Sequence, residues 1–174
     1  MPIGLTIPFK KEMLFRELLE EVRRVLEKML NCQTIPLFET QTPPAQKHPA
    51  LENSELRNHF GAYVALSAKE GSMVDIVVFE SRGRKVLGCS SAGRTAISDV
   101  FTAAVAIAAA RRLEGRIEDA AHHWQDRDDY SSEDLMTALA IPDNQSDLTF
   151  EVAIDLVSKK QFKVPSYGNP APKN

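Results

Sequence analysis

From Lys10 to Leu30 the apolar residues Leu14, Phe15, Leu18, Leu19, Val22, Val25, Leu26, Met29 and Leu30 return every three to four positions, with charges between them. That is the period of a helix with one apolar stripe, and it predicts an amphipathic helix facing the core of its own domain. On the polar side Glu12 and Arg16, Glu20 and Arg24, and Arg23 and Glu27 stand four apart, the spacing at which opposite charges meet on a helix surface. From Ala62 the period changes. The runs Ala62 to Ser67, Ser72 to Glu80 and Lys85 to Ser90 read as strands, separated by Lys69-Glu70-Gly71 and Ser81-Arg82-Gly83-Arg84, short glycine turns suited to hairpins. In the middle run Val74, Ile76 and Val78 share one face, while Met73, Asp75, Val77 and Phe79 share the other. Both faces are largely apolar, so each is expected to be covered.

Thr95 to Leu113 has almost no polar face before Arg111 and Arg112. It predicts a buried, alanine-rich helix with two cations in its last turn and Gly115 placed for a left-handed cap. A short helix from Leu51 to His59 is expected before the strands and another from Arg116 to Trp124 after the alanine-rich helix. Ser131 with Asp134 resembles a capping arrangement opening a helix that carries Leu135, Met136 and Leu139 and stops at Pro142. Leu148 to Leu156 alternates as a strand does, but its acids come early and Lys159 and Lys160 late, which favours a helix. Residues 32–50, with Pro36, Pro43, Pro44 and Pro49, form an extended strap on which Ile35, Leu37 and Phe38 pack down. These elements predict one α+β domain over residues 1–163: an antiparallel meander of at least three strands packed against the long N-terminal helix (10–30) and the alanine-rich helix, with further short C-terminal helices. Residues 164–174 are expected to be a mobile tail.

The 174 residues are 43% hydrophobic and 26% charged, which excludes a disordered chain, a collagen-like repeat and a disulfide scaffold. The net charge of −3 and pI near 5.8 remove any overall basic excess for nucleic acid or a membrane surface. Cys32 and Cys89 have no metal-type spacing, so a reducing cytoplasm is expected. The N-terminal apolar stretch lacks a preceding positive charge and runs into Lys10, Lys11 and Glu12, the reverse of a secretory signal. Val100 to Ala110 is too short to span a bilayer, so no membrane association is expected.

Chemistry is sparse. Gly83 to Ser90 has P-loop spacing, but Cys89 stands where the phosphate-binding lysine belongs and the segment reads as strand. Gly88-Cys89-Ser90-Ser91-Ala92-Gly93 lies between a strand and a helix, where a nucleophile can be presented beside backbone N–H groups. Cys89 or Ser90 is therefore the candidate for a small hydrolase, although His48, His59, His122 and His123 show no triad spacing. Glu118 with His122, and Asp119 with His123, stand four apart, and neither pair has a third metal ligand. Asp126, Asp128 and Asp129 lack the glycine and acid of a calcium loop. No catalytic set, cofactor motif or metal site is assigned. Trp124, the only tryptophan, is a candidate interface anchor, together with His122 and His123.

From Pro49 to Gly115 the predicted order is helix, three antiparallel strands, alanine-rich helix. With Gly83-Arg84-Lys85-Val86-Leu87-Gly88 followed by Ala103, Ala104 and Ala108 to Ala110, it resembles the second half of a double-stranded RNA-binding domain. The resemblance implies phosphate contacts, for which Arg82, Arg84, Lys85 and Arg94 are the candidates. Where that family clusters lysines, this chain has Ser91-Ala92-Gly93-Arg94-Thr95-Ala96, with one basic residue. The same pattern also resembles small ligand-binding or dimerisation domains of metabolic enzymes. With no catalytic or cofactor set complete, the leading expectation is a non-enzymatic protein that binds another protein, as an inhibitor, immunity-type partner or adaptor. A double-stranded-RNA-binding module and a small hydrolase are the alternatives, and a homodimer is a further arrangement open to the chain.

Overall fold

A computed structural model describes residues 4–44 and 50–161. In chain order the elements are β1 (Gly4–Pro8), α1 (Phe15–Leu30), β2 (Phe38–Gln41), a single 3-10 turn (Leu51–Asn53), β3 (Gly61–Leu66), β4 (Val74–Ser81) and β5 (Arg84–Ser91). There follow α2 (Ala96–Leu113), β6 (Ile117–Glu118), β7 (Asp129–Tyr130), α3 (Ser132–Leu139) and α4 (Phe150–Ser158). The strands form one antiparallel sheet of order β2-β3-β4-β5-β1-β6-β7, so the fold is α+β with an antiparallel sheet. Among the described residues no helix is long and apolar enough to cross a membrane.

The meander forms as expected, and β4 pairs with β5 along its whole length, from Val74 with Ser91 to Ser81 with Arg84. The segment before the first helix is itself a strand. β1 inserts beside β5, with Leu5 opposite Cys89 and Ile7 opposite Leu87, and both apolar side chains are buried. Pro8 ends the strand, beyond the one residue pair, Thr6 with Glu118, that joins β1 to β6, so the missing N–H interrupts no ladder there.

α2 lies directly on β1 and β5, with α1, α3 and α4 packed against it. Nearly every residue of α2 from Val100 to Ala110 is buried; a helix wrapped on all sides needs no polar face, and alanine lets its neighbours approach closely. Thr95 caps it, accepting from the N–H of Ser98. α1 starts at Phe15 rather than Lys10, because the chain leaving β1 is held extended: Phe9 N–H donates to the carbonyl of Lys85 and Lys10 N–H to that of Leu113. Its stripe of Phe15, Leu18, Val22, Val25, Leu26 and Met29 is buried within the domain, and Phe15 meets Phe60 at 5.1 Å between ring centroids.

Several expectations are corrected. Arg116 to Trp124 is not a helix: its first residues pair as β6, and the carboxylate of Asp119 accepts the backbone N–H groups of His123 and Trp124 at 3.0 and 3.1 Å, donors that a helix would have used internally. The left-handed cap of α2 is Glu114 (φ 57). Gly115 is required instead for close approach, since a Cβ there would lie 2.3 Å from the carbonyl oxygen of Pro8. Leu51 to His59 shortens to the 3-10 turn because Leu14 bridges Glu55 and Leu56 N–H donates to the carbonyl of Met13. In the strap Ile35 is buried and β2 forms, while Leu37 is exposed rather than packed down. The segment 148–156 is helical, as α4. His48 and the tail 164–174 lie outside the described residues.

Candidate functional site

The strand alternation sorts the sheet into two unlike faces. Leu5, Ile7, Val64, Ile76, Val78, Leu87 and Cys89 point toward α2 and are buried. The reverse face carries Thr6 and Pro8 from β1, Tyr63 from β3, Asp75, Val77 and Phe79 from β4, and Val86, Gly88 and Ser90 from β5, which share cross-strand rows. This face is only partly covered among the described residues: Val77 and Phe79 are each 37% exposed, while Val86 beside them is 2% exposed. Gly88 shapes the centre. A Cβ there would meet the Phe79 ring at 3.0 Å and Val77 at 3.3 Å, so both side chains lie down over the glycine and make a low apolar platform.

Charge is confined to the borders of that platform. Asp75, half-buried one row beyond Val77, has no hydrogen bond or ion pair among the described residues, and burial raises its pKa. Arg84 stands at the opposite end and donates to Glu118 at 3.2 Å. It shares with Arg82, Glu118, Asp128 and Asp129 a cleft of about 620 Å³.

The residues singled out from the sequence scatter. Arg84 and Arg94 fall at opposite ends of β5; Arg94 is exposed in a left-handed turn (φ 51). The ammonium of Lys85 is taken up by Glu12 at 2.5 Å and the ring of Phe9 at 4.3 Å. His122 lies 2.7 Å from Asp128 and 3.7 Å from Asp126; the hydrogen bond to Asp128 is the main cause that raises its pKa. Trp124 is 3% exposed, with its indole N–H unpartnered among the described residues, so it belongs to the core and does not form a surface anchor. Asp119, fully buried, also accepts from the hydroxyl of Tyr130 at 2.8 Å. Burial and that bond push the Tyr130 phenol up. Asp119 therefore ties the 119–130 loop to the sheet edge.

The strand-to-helix turn is closed. Cys89 points into the core, its thiol 3.7 Å from the carbonyl of Leu5, and burial pushes its pKa up to about 12, away from a reactive thiolate. Ser90 faces the open side, on the row of Asp75. Ser91, 2% exposed, exchanges a 2.6 Å hydrogen bond with Ser98. Beside it Asp99 is half-buried: burial raises its pKa, opposed by its hydrogen bond to Ser91 and the charge of His123. Gly93 admits no side chain, since a Cβ would lie 1.7 Å from the carbonyl oxygen of Gly71. Among the described residues no group of three or more His, Cys, Asp or Glu is arranged to hold a metal. No family model, curated protein or solved structure matches the chain.

The open face was half legible. The alternation of β4 placed Val77 and Phe79 together, but nothing local marked that their side would be bare.

Proposed function

We propose that this protein is a non-enzymatic binding module that docks on a protein surface through the open face of its sheet. The observation that carries this reading is the platform of Val77 and Phe79 laid over Gly88, apolar at its centre and charged only at its borders. That arrangement of apolar core and polar rim is the anatomy of a protein interface, and a contiguous apolar patch on a sheet face is a recognised mark of one. A reducing compartment such as the cytoplasm suits the two free thiols, Cys32 and Cys89.

Nucleic acid has less support: Arg84 and Lys85 are already engaged by Glu118 and Glu12, and Asp75 would set an unpaired acid against phosphate. Hydrolysis has less support because Cys89 is buried with its thiol pKa raised. The test is Phe79→Glu, with assemblies in host lysate compared by native mass spectrometry. Loss of a complex that the unaltered chain forms, with the circular dichroism spectrum unchanged, is expected. Identical assemblies for both chains would refute the reading.

A further inference from the structure

We infer that the groove between α1 and the free edge of β2 takes an extended, basic segment of another protein, which adds to the sheet as an eighth strand. This site stands at the end of the sheet, apart from the Val77 and Phe79 platform, and does not depend on it.

The backbone gives the first argument. β2 is the first strand in the sheet order and pairs only with β3. Ser67 N–H donates to the carbonyl of Leu37 at 2.8 Å, and Phe38 stands opposite Leu66 and Thr40 opposite Val64. The alternation of an antiparallel ladder then turns the peptide groups of Glu39 and Gln41 toward β3 and those of Phe38 and Thr40 outward. Two N–H and two C=O groups are thus presented in a row with no partner among the described residues. Proline is a usual guard of such an edge, but Pro36, Pro43 and Pro44 flank β2 without entering it. They leave every N–H of the strand in place and confine pairing to a short segment. The opposite edge, β7, has only two residues.

The same two residues line a groove of about 360 Å³, whose far wall is the polar side of α1. The ring of Phe38 lies 5.6 Å from that of Phe101 in α2, so Phe38 and Thr40 face the helices. Alternate side chains of an added strand would therefore point at α1. Charge says what they should carry. Each arginine of the groove already has a hydrogen-bond acceptor: Arg16 donates to Asn53, Arg24 to Glu21, and Arg23 to the carbonyls of Ile35 and Pro36. The three acids of the groove, Glu20, Glu27 and Glu52, have no hydrogen bond or ion pair among the described residues. Lysine or arginine at alternate positions would lay its apolar stem over Leu19, which lines the groove, and bring its charge to these carboxylates. Glu20 and Glu27 are about 10 Å apart along the helix axis, a reach of about three extended residues. Main-chain pairing for affinity with alternate side chains for selection is the way a sheet edge recognises a peptide.

The probe is a capped, fluorescently labelled hexapeptide of alternating lysine and valine, read by anisotropy and by amide hydrogen exchange. Saturable binding is expected below about 1 mM, with the amides of Phe38 and Thr40 gaining protection and those of Glu39 and Gln41 unchanged. Thr40→Pro removes an outward N–H that no ladder uses, a place where a strand tolerates proline. It should keep the circular dichroism spectrum and weaken binding at least about tenfold. Glu20→Gln with Glu27→Gln should weaken binding and flatten its dependence on salt. The same peptide methylated on alternate backbone nitrogens keeps its charges and should not bind the unaltered chain. Phe79→Glu should bind the peptide as the unaltered chain does. Absence of binding, or equal binding by the methylated peptide, would overturn the inference. Phe38 and Thr40 amides already protected before peptide is added would also overturn it, because the chain itself or a second copy would then fill the groove.

Discussion

The two faces of the sheet are built from the same strands and the same kinds of residue, yet they meet opposite surroundings. Ile76 and Val77 are consecutive in β4; Ile76 is fully buried beneath the helices while Val77 is 37% exposed. On the inner face apolar side chains are matched by an apolar helix, α2, whose own polar face has been dispensed with. On the outer face Val77 and Phe79 lie over Gly88 and remain 37% exposed, while Val86 beside Phe79 is buried. Hydrophobicity along a strand therefore reports that a surface is to be removed from water, without reporting whether the same chain removes it.

The sharpest separation of the faces comes from truncating each. Phe101→Ala in α2, a fully buried ring 5.6 Å from Phe38, should cost about 3–5 kcal/mol in denaturant unfolding. A cost under about 1 kcal/mol would mean that α2 does not seal the inner face as described. Next in size is Asp119→Ala, which strands the Tyr130 hydroxyl and two backbone N–H groups. About 1–3 kcal/mol is expected, with faster hydrogen exchange across residues 119–130, and unaltered exchange there would refute the role of Asp119 as a tie. On the outer face Val77→Ala, measured in the Phe79→Glu background so that association does not contribute, should cost less than about 1 kcal/mol. A loss as large as that of Phe101→Ala would show that the outer face is covered after all.

The smallest expected effect is a pH dependence at the sheet's far edge. The hydrogen bond to Asp128 raises the pKa of His122 above its ordinary 6.5, so the folded protein holds the His122 proton more tightly than the unfolded chain does. Its stabilising contribution is fully present below pH 6.5 and is lost as pH rises through the folded value. An NMR titration should place the His122 midpoint above 6.5 and return it toward that value in Asp128→Asn. A midpoint at or below 6.5 in the unaltered chain would contradict the pairing.

Where the signal was local, the sequence was readable. The three-to-four residue return from Phe15 to Leu30, the glycine turns of the meander and the capping pair Ser131 and Asp134 all act within a few residues, and each led to its element. The misreadings are all places where distant partners won. Leu5 and Ile7 are too short a run to declare a strand, and only the free flank of β5, 80 residues away, makes them one. Arg116 to Trp124 has helical spacing, but Asp119 diverts its N–H groups and Thr6 pairs with Glu118. Trp124 looked like an anchor by residue type, although packing buried it. The candidate surface was visible as an apolar second side of β4, without its bareness.

The sequence alone determined the periodicities and the turns, and with them the α+β class and the antiparallel meander, because these follow from side-chain spacing and backbone preference over one or two turns of chain. Tertiary structure alone decided that β1 completes the centre of the sheet, that Asp119 ties down the 119–130 loop, and that every helix gathers on one side. Those outcomes depend on which apolar surfaces, far apart in the chain, exclude water most completely together. α2 can be buried on all sides only if the other helices join it on the inner face, and the bare platform of Val77 and Phe79 is the consequence of that choice.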